Sequence, residues 1–384
     1  MFGLSSSSKK SEVIAIVDVG SGSAAVGIIQ LHDSQPAMIL ASNRASLSFE
    51  ERTESQTIAA VATAIKTAGV KALEFYRSQK DQKPPTKLYI FLRVPWSRSK
   101  AIEMRQKLDE ETVISDKMVS ALAKQALTEE KDIDSKNLLE AAVIHIMLNG
   151  YRVVNIKGKR AHTLNISVLL SDSHESLKIA VQDAALSVFP SLTPQWRTHT
   201  RALVKILSRN MDEWRNCVVF DVGTEGTSIS VIRKGMLAEQ VTLPEGSRAI
   251  LHKISRQGMP EETLALLALL EREQSGPATE GIRASIANAE PELIRVFGEQ
   301  FSRLASPRRL PNKLLLIAHP DLAPLLAQFL SRIDFAQFTI TAQPFSVLPL
   351  DANHLGRHLQ AAKGAVPDPS FSIAAAFVNI DEHE

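Results

Sequence analysis

Apolar residues in this chain follow two rhythms that alternate along its length. Short unbroken runs, Val13-Ile14-Ala15-Ile16 near the start and Cys217-Val218-Val219 past the middle, read as strands buried on both faces. Elsewhere the apolar positions recur at helical spacing, as at Ile58, Val61, Ile65, Ala68, Leu73 and Phe75, which predicts an amphipathic helix over 57–80. The two unbroken runs end alike. Val17-Asp18-Val19-Gly20-Ser21 follows one and Phe220-Asp221-Val222-Gly223-Thr224 the other, and each leads into a second strand-like run. A strand, a glycine turn and a strand are therefore present twice.

The rest of the pattern divides the chain. Asp81-Gln82-Lys83-Pro84-Pro85 ends the first helix, because proline lacks the amide donor and restricts the residue before it. A compact strand, helix, strand, strand unit is then predicted, with strands over 87–93, 141–148 and 163–170 and a helix over 116–129 whose N-cap is Ser115. Asn149-Gly150 and Lys157-Gly158-Lys159 punctuate its last hairpin. A helix over 173–189 leads back toward the main body. Beyond the second glycine turn, helices are predicted over 248–255, 261–273 and 291–304, with a linker at 271–277. A buried strand over 313–318 precedes a helix over 322–333 that Pro320-Asp321 should cap.

The expected fold is thus α/β with two lobes. The family resemblance set out below implies a first lobe core at 11–83, completed by 186–212 and 346–384, an insert at 84–185, and a second lobe at 213–345 with a helical subdomain at 257–310. A length of 384 residues fits two to three domains. With 44 basic and 42 acidic residues the net charge is only +2, which argues against nucleic acid or an anionic membrane as the main partner. Cys217 is the sole cysteine, so disulfides and multi-cysteine metal sites are excluded, and its place in an apolar strand predicts a packed thiol. Neither the Met1-Phe2-Gly3-Leu4 tip with Lys9-Lys10 nor any later run is apolar for long enough to predict a signal peptide or a membrane span. These features predict a cytoplasmic chain without direct membrane insertion.

The paired turns carry the candidate chemistry. Glycine lets backbone amides approach a ligand closely, and successive inward amides form an anion-binding concavity. Gly20, Ser21, Gly22 and Ser23 supply such a turn with hydroxyl donors, and Gly223, Thr224, Gly226 and Thr227 supply the second. Asp18 and Asp221 stand where each strand meets its turn, placed to hold magnesium across a cleft directly or through water. A plain hairpin also favours Asp and Gly at its turn, so either motif alone is ambiguous.

Two such hairpins flanking the insert resemble the actin-like (ribonuclease H-like) ATPase superfamily, in the branch that holds the type IV pilus assembly protein PilM and the cell division protein FtsA. The strand-helix-strand-strand (SHS2) insert marks that branch, and Val143 through Tyr151 with Gly158 and Leu164 is similar to its inner hairpin. Leu243-Pro244-Glu245-Gly246 is similar to the family's third motif region. The resemblance implies ATP with Mg2+ bound between the lobes. It also implies a cytoplasmic scaffold role, in which an inner-membrane assembly protein binds through a short peptide beside the insert and recruits the chain to the membrane.

Three departures predict hydrolysis that is slow or absent. Thr227-Ser228 replaces an acidic residue after the threonine pair, His319-Pro320-Asp321 replaces a Gly-Gly turn, and no polar residue between Leu186 and Asn216 stands out to position water. His319 reads as a loop residue, and none of the histidines has a partner at zinc spacing. The closing run from Phe371 to Glu384 lacks the basic amphipathic tail of FtsA-like proteins, and with Pro344-Phe345 and the N-terminal tip it favours the pilus protein. The alternatives are an FtsA-like division protein with division partners, and a nucleotide-free interaction module that keeps the fold. The edge near 149–159 reads equally as a self-association edge, a partner edge or a solvated turn.

Overall fold

The computed structural model describes residues 11–33, 35–80, 82–210, 212–255, 258–272, 276–366 and 368–383. The N-terminal tip, Gln257 and positions 273–275 of the expected linker lie outside them. β1 (Glu12–Val19) is buried from Val13 onward, as an unbroken apolar run requires, and turns at Gly20 into antiparallel β2 (Ser23–Leu31). β3 (Ala37–Ser46) extends the meander. α1 (Glu54–Arg77) begins three residues earlier than its apolar spacing predicts, because Thr53 and Gln56 close a capping box that satisfies the first free amides. It buries Ile58, Val61, Ile65 and Ala68 on the sheet.

β4 (Lys87–Leu92) corrects an expectation. Expected to open the insert, it instead pairs in parallel with β1 in the first lobe's sheet, one strand in from the edge. The strand that opens the insert is β5 (Ser97–Val113), long and strongly charged, which apolar patterning alone passes over. After α2 (Asp116–Glu129), capped by Ser115, come β6 (Leu138–Leu148), β7 (Tyr151–Arg152) and β8 (Arg160–Ser173). They form a four-stranded sheet in the order β5, β8, β6, β7, with α2 over a core of Met104, Leu122, Ile166 and Val168. Asn149 and Gly150 both take positive φ at the β6–β7 turn, the conformation that Asn-Gly favours.

α3 (Glu175–Val188) packs beside α1 in the first lobe core, through Leu177, Val181 and Ala185. β9 (Pro194–Thr198) joins β4 in parallel and runs into α4 (His199–Asn210). The second lobe repeats the plan with β10 (Cys217–Val222), β11 (Thr227–Arg233) and β12 (Met236–Leu243). α5 (Ser247–Ser255), α6 (Pro260–Glu271) and α7 (Pro277–Ala305) follow. α7 passes straight through Pro291, where a helix start was expected. Burial of Ile282, Ala289, Leu293, Phe297 and Phe301 along one face outweighs the lost hydrogen bond and ring clash, which cost about 3 kcal/mol.

β13 (Lys313–Ile317) lies parallel to β10. The next helix, α8 (Ala323–Leu330), is shorter than expected. Its N-cap is Leu322, with no side-chain cap, so Asp321 does not cap it. β14 (Ser346–Pro349) completes the second sheet, so the first lobe does not begin at 346 as expected. β15 (Leu359–Ala361) and α9 (Pro369–Glu382) return to the first. Every residue of α9 from Ser370 to Ile380 is buried. The central sheets, in the orders β15-β3-β2-β1-β4-β9 and β12-β11-β10-β13-β14, share a meander of three strands followed by two parallel ones. Asp18 therefore faces Ala25 and Phe91 in its sheet, as Asp221 faces Ser228 and Ile317 in the other.

Candidate functional site

The two glycine turns meet between the lobes. A Cβ built on Gly22 would overlap the Thr224 side chain, and the Glu225 amide donates to Ser21 Oγ at 3.1 Å. Gly20, Ser21, Gly22, Ser23, Gly223 and Thr224 line a cavity of about 320 Å³, at the small end for a ligand pocket. Phe49, Ile317 and Pro320 are apolar parts of its lining, and Arg44, Arg93, His319, Asp368 and Ser370 polar ones.

Other expected residues serve the turns instead. The Gly20 amide donates to Ser23 O and the Gly223 amide to Gly226 O, both at 2.9 Å, so neither faces a ligand. Thr227 Oγ1 donates to the Glu245 carbonyl, and Gly226 packs against Leu243. His319 stays in the cavity wall, where burial lowers its pKa against the opposing pull of Asp321, and its Nδ1 accepts from the Asp321 amide at 3.3 Å.

Asp18 and Asp221 sit behind the cavity, each bound by an arginine. Arg44 Nη2 donates to Asp18 Oδ2 at 2.5 Å, Arg44 Nε to Asp368 Oδ2 at 2.9 Å and Nη1 to Ser23 Oγ at 2.9 Å. Burial opposes the charge on Arg44, but Asp368 and Asp18 more than compensate and raise its pKa. Arg93, just past β4, pairs with Asp221 and donates to Ser370 Oγ at 2.7 Å. His199 Nδ1 lies 3.4 Å from the other Asp221 oxygen. Burial pushes the Asp221 carboxyl upward, yet Arg93 and His199 overcome it and bring the pKa down to about 2.

These arginines were not foreseen, since Arg44 and Asp18 are 26 positions apart and Arg93 and Asp221 are 128 apart. The available signal was a charged residue at the end of an apolar strand. The residues present do not fit magnesium: both carboxylates expected to ligate it already neutralise a guanidinium group. Among the described residues no group of three or more His, Cys, Asp or Glu is placed to hold a metal ion.

A second cavity, of about 140 Å³, lies between the insert and α4. Val143, His145, Arg152 and Val154 line one side, and Arg201, Val204, Lys205 and Arg209 the other. Its walls are anchored. Glu140 accepts from the Thr198 amide at 2.9 Å and from Arg201 Nη1 at 2.9 Å, while Asp381 of α9 accepts from Lys205 at 3.0 Å. Burial, with help from Arg152 and Arg215, lowers the His145 pKa to about 4. Val154, in its lining, is largely exposed.

No protein-family model and no curated protein sequence matches this chain. Among solved structures, it is similar to one titled as the PilM-PilN type IV pilus biogenesis complex, at 14% identity and TM-score 0.57, covering 97% of this chain and 98% of that one. The fold is the actin-like one. EutJ from Carboxydothermus hydrogenoformans is similar at 11% identity and TM-score 0.42, over 95% of this chain and 90% of that one. A non-polymerising MamK mutant bound to AMPPNP is similar at 10% identity and TM-score 0.38, over 98% and 100%. In this actin-like fold the glycine turns occupy the interlobe cleft, and the insert is carried on the first lobe. No helix among the described residues is long and apolar enough to cross a membrane.

Proposed function

We propose that this chain is an actin-like scaffold of a membrane-associated assembly of the type IV pilus kind, recruited to the inner face of the membrane by a partner protein. The observation that carries the reading is the actin-like fold complete with its insert, matched over nearly the whole of this chain and of the one titled PilM-PilN. The cavity between the insert and α4 is the proposed seat of a short partner segment. Its exposed Val143 and Val154 suit an apolar residue of that segment.

Pull-down from native cells with the tagged chain tests this reading. Recovery of an inner-membrane assembly protein that is lost in Val143→Glu supports it. Equal recovery with the variant moves the partner elsewhere, and recovery of division proteins instead replaces the pilus role. In this reading the interlobe cleft does not turn over nucleotide. ATP held without hydrolysis is a second reading, favoured by the hydroxyls of Ser21, Ser23 and Thr224 along the cavity. Titration calorimetry on the wild type and on the Asp18→Ala, Asp221→Ala double variant separates the two: binding lost in the variant supports an ATP site, and no binding by the wild type leaves a nucleotide-free scaffold.

A further inference from the structure

We infer that Arg44 and Arg93 are the cleft's own counter-ions, a built-in latch that holds the two lobes together without magnesium or nucleotide. The inference does not depend on the scaffold role or on any partner. Arg93 leaves the end of β4 in the first lobe and pairs with Asp221 of β10 in the second, so that ion pair bridges the lobes. Arg44 secures the near wall, joining Asp18 of β1, Ser23 at the turn and Asp368 at the N-cap of α9. Both guanidinium groups are largely sheltered, and the Asp18 side chain is fully so.

Charge and shape agree with this assignment. Three carboxylates, Asp18, Asp221 and Asp368, face two guanidinium groups, so most of the negative charge that would draw a divalent cation is already balanced. The interlocked turns add an uncharged catch: Ser21 accepts the Glu225 amide, Gly22 abuts Thr224, and the backbone of Gly223 lies against Val94. Removing one partner of a buried charged pair strands the other, so the bridge resists opening in a way that a surface pair would not.

The test uses the full purified chain. Its melting temperature and its amide exchange at residues 20–23 and 223–226 are measured with EDTA, with magnesium chloride alone, and with magnesium and ATP. The latch predicts the same values in all three. Arg93→Met should speed exchange in both turns by roughly tenfold or more, the effect of losing a charge-assisted hydrogen bond. It should also make the melting temperature rise on adding magnesium, because Asp221 is then free to bind a cation. Ser21→Ala, which keeps every charge, should give a smaller acceleration and no response to magnesium. Stabilisation of the wild type by magnesium overturns the inference, as does unchanged exchange in Arg93→Met. If Arg93→Met does not fold, the wild-type titration decides alone.

Discussion

His145 offers a quantitative test of how the insert meets the first lobe. Its ring belongs to β6, is buried to 8% exposure, and lines the cavity toward α4 near Arg152 and Arg215. Burial disfavours the charged imidazolium, and the two arginines repel it, so the folded pKa falls from 6.5 to about 4. The sign follows from proton counting. Between these values the unfolded chain binds a proton that the folded chain does not, so stability is full above pH 6.5 and is lost as pH falls toward 4. The full difference corresponds to roughly 3 kcal/mol, and partial solvation of the ring reduces it to about 2 kcal/mol. His145→Gln keeps a polar side chain of similar reach and cannot titrate. Urea unfolding of the insert, followed by amide exchange of β6 and β8 from pH 7 to pH 4, should show the wild type losing this much more stability than the variant. Histidine NMR should place the His145 titration well below 6.5. A difference between the two proteins that stays flat over that range, or a His145 titration near 6.5, would refute the assignment of a buried, cation-flanked ring.

Three other outcomes follow from packing and burial. Gly22→Ala should lower stability by about 1–3 kcal/mol in thermal unfolding, because its Cβ would overlap Thr224 and force the interlocked turns apart. Gly27→Ala should cost at least as much and loosen α9, since the new Cβ would meet the Phe371 ring and the Ala41 carbonyl; faster exchange along α9 is the specific readout. The Cys217 thiol, pushed up to about 12 by burial, should resist alkylation at pH 8 in the native protein and react readily in urea.

Much of the fold was legible because its signals are local. The runs around Asp18 and Asp221 form strands, and their glycine turns lead into antiparallel partners, as reading the neighbouring residues predicts. Ser115 caps α2, and Asn149-Gly150 makes the tight turn that positive φ requires. The sites of error were non-local. β4 reads as a buried strand wherever it is placed, and only parallel pairing with β1 puts it in the lobe rather than the insert. β5 hid because its charges alternate along an edge, and α7 continued through Pro291 because its apolar face is buried on the lobe.

By itself the sequence determined the duplicated hairpins and most of the helices around them, since each depends on residues close together in the chain. Only the tertiary structure decided what the hairpins hold. A lone carboxylate at a strand end is equally suited to a metal ion or a guanidinium group, and the choice rests on which charge folding brings within a few ångströms. Here Arg44 reaches Asp18 across the first sheet, and Arg93 reaches Asp221 across the lobes.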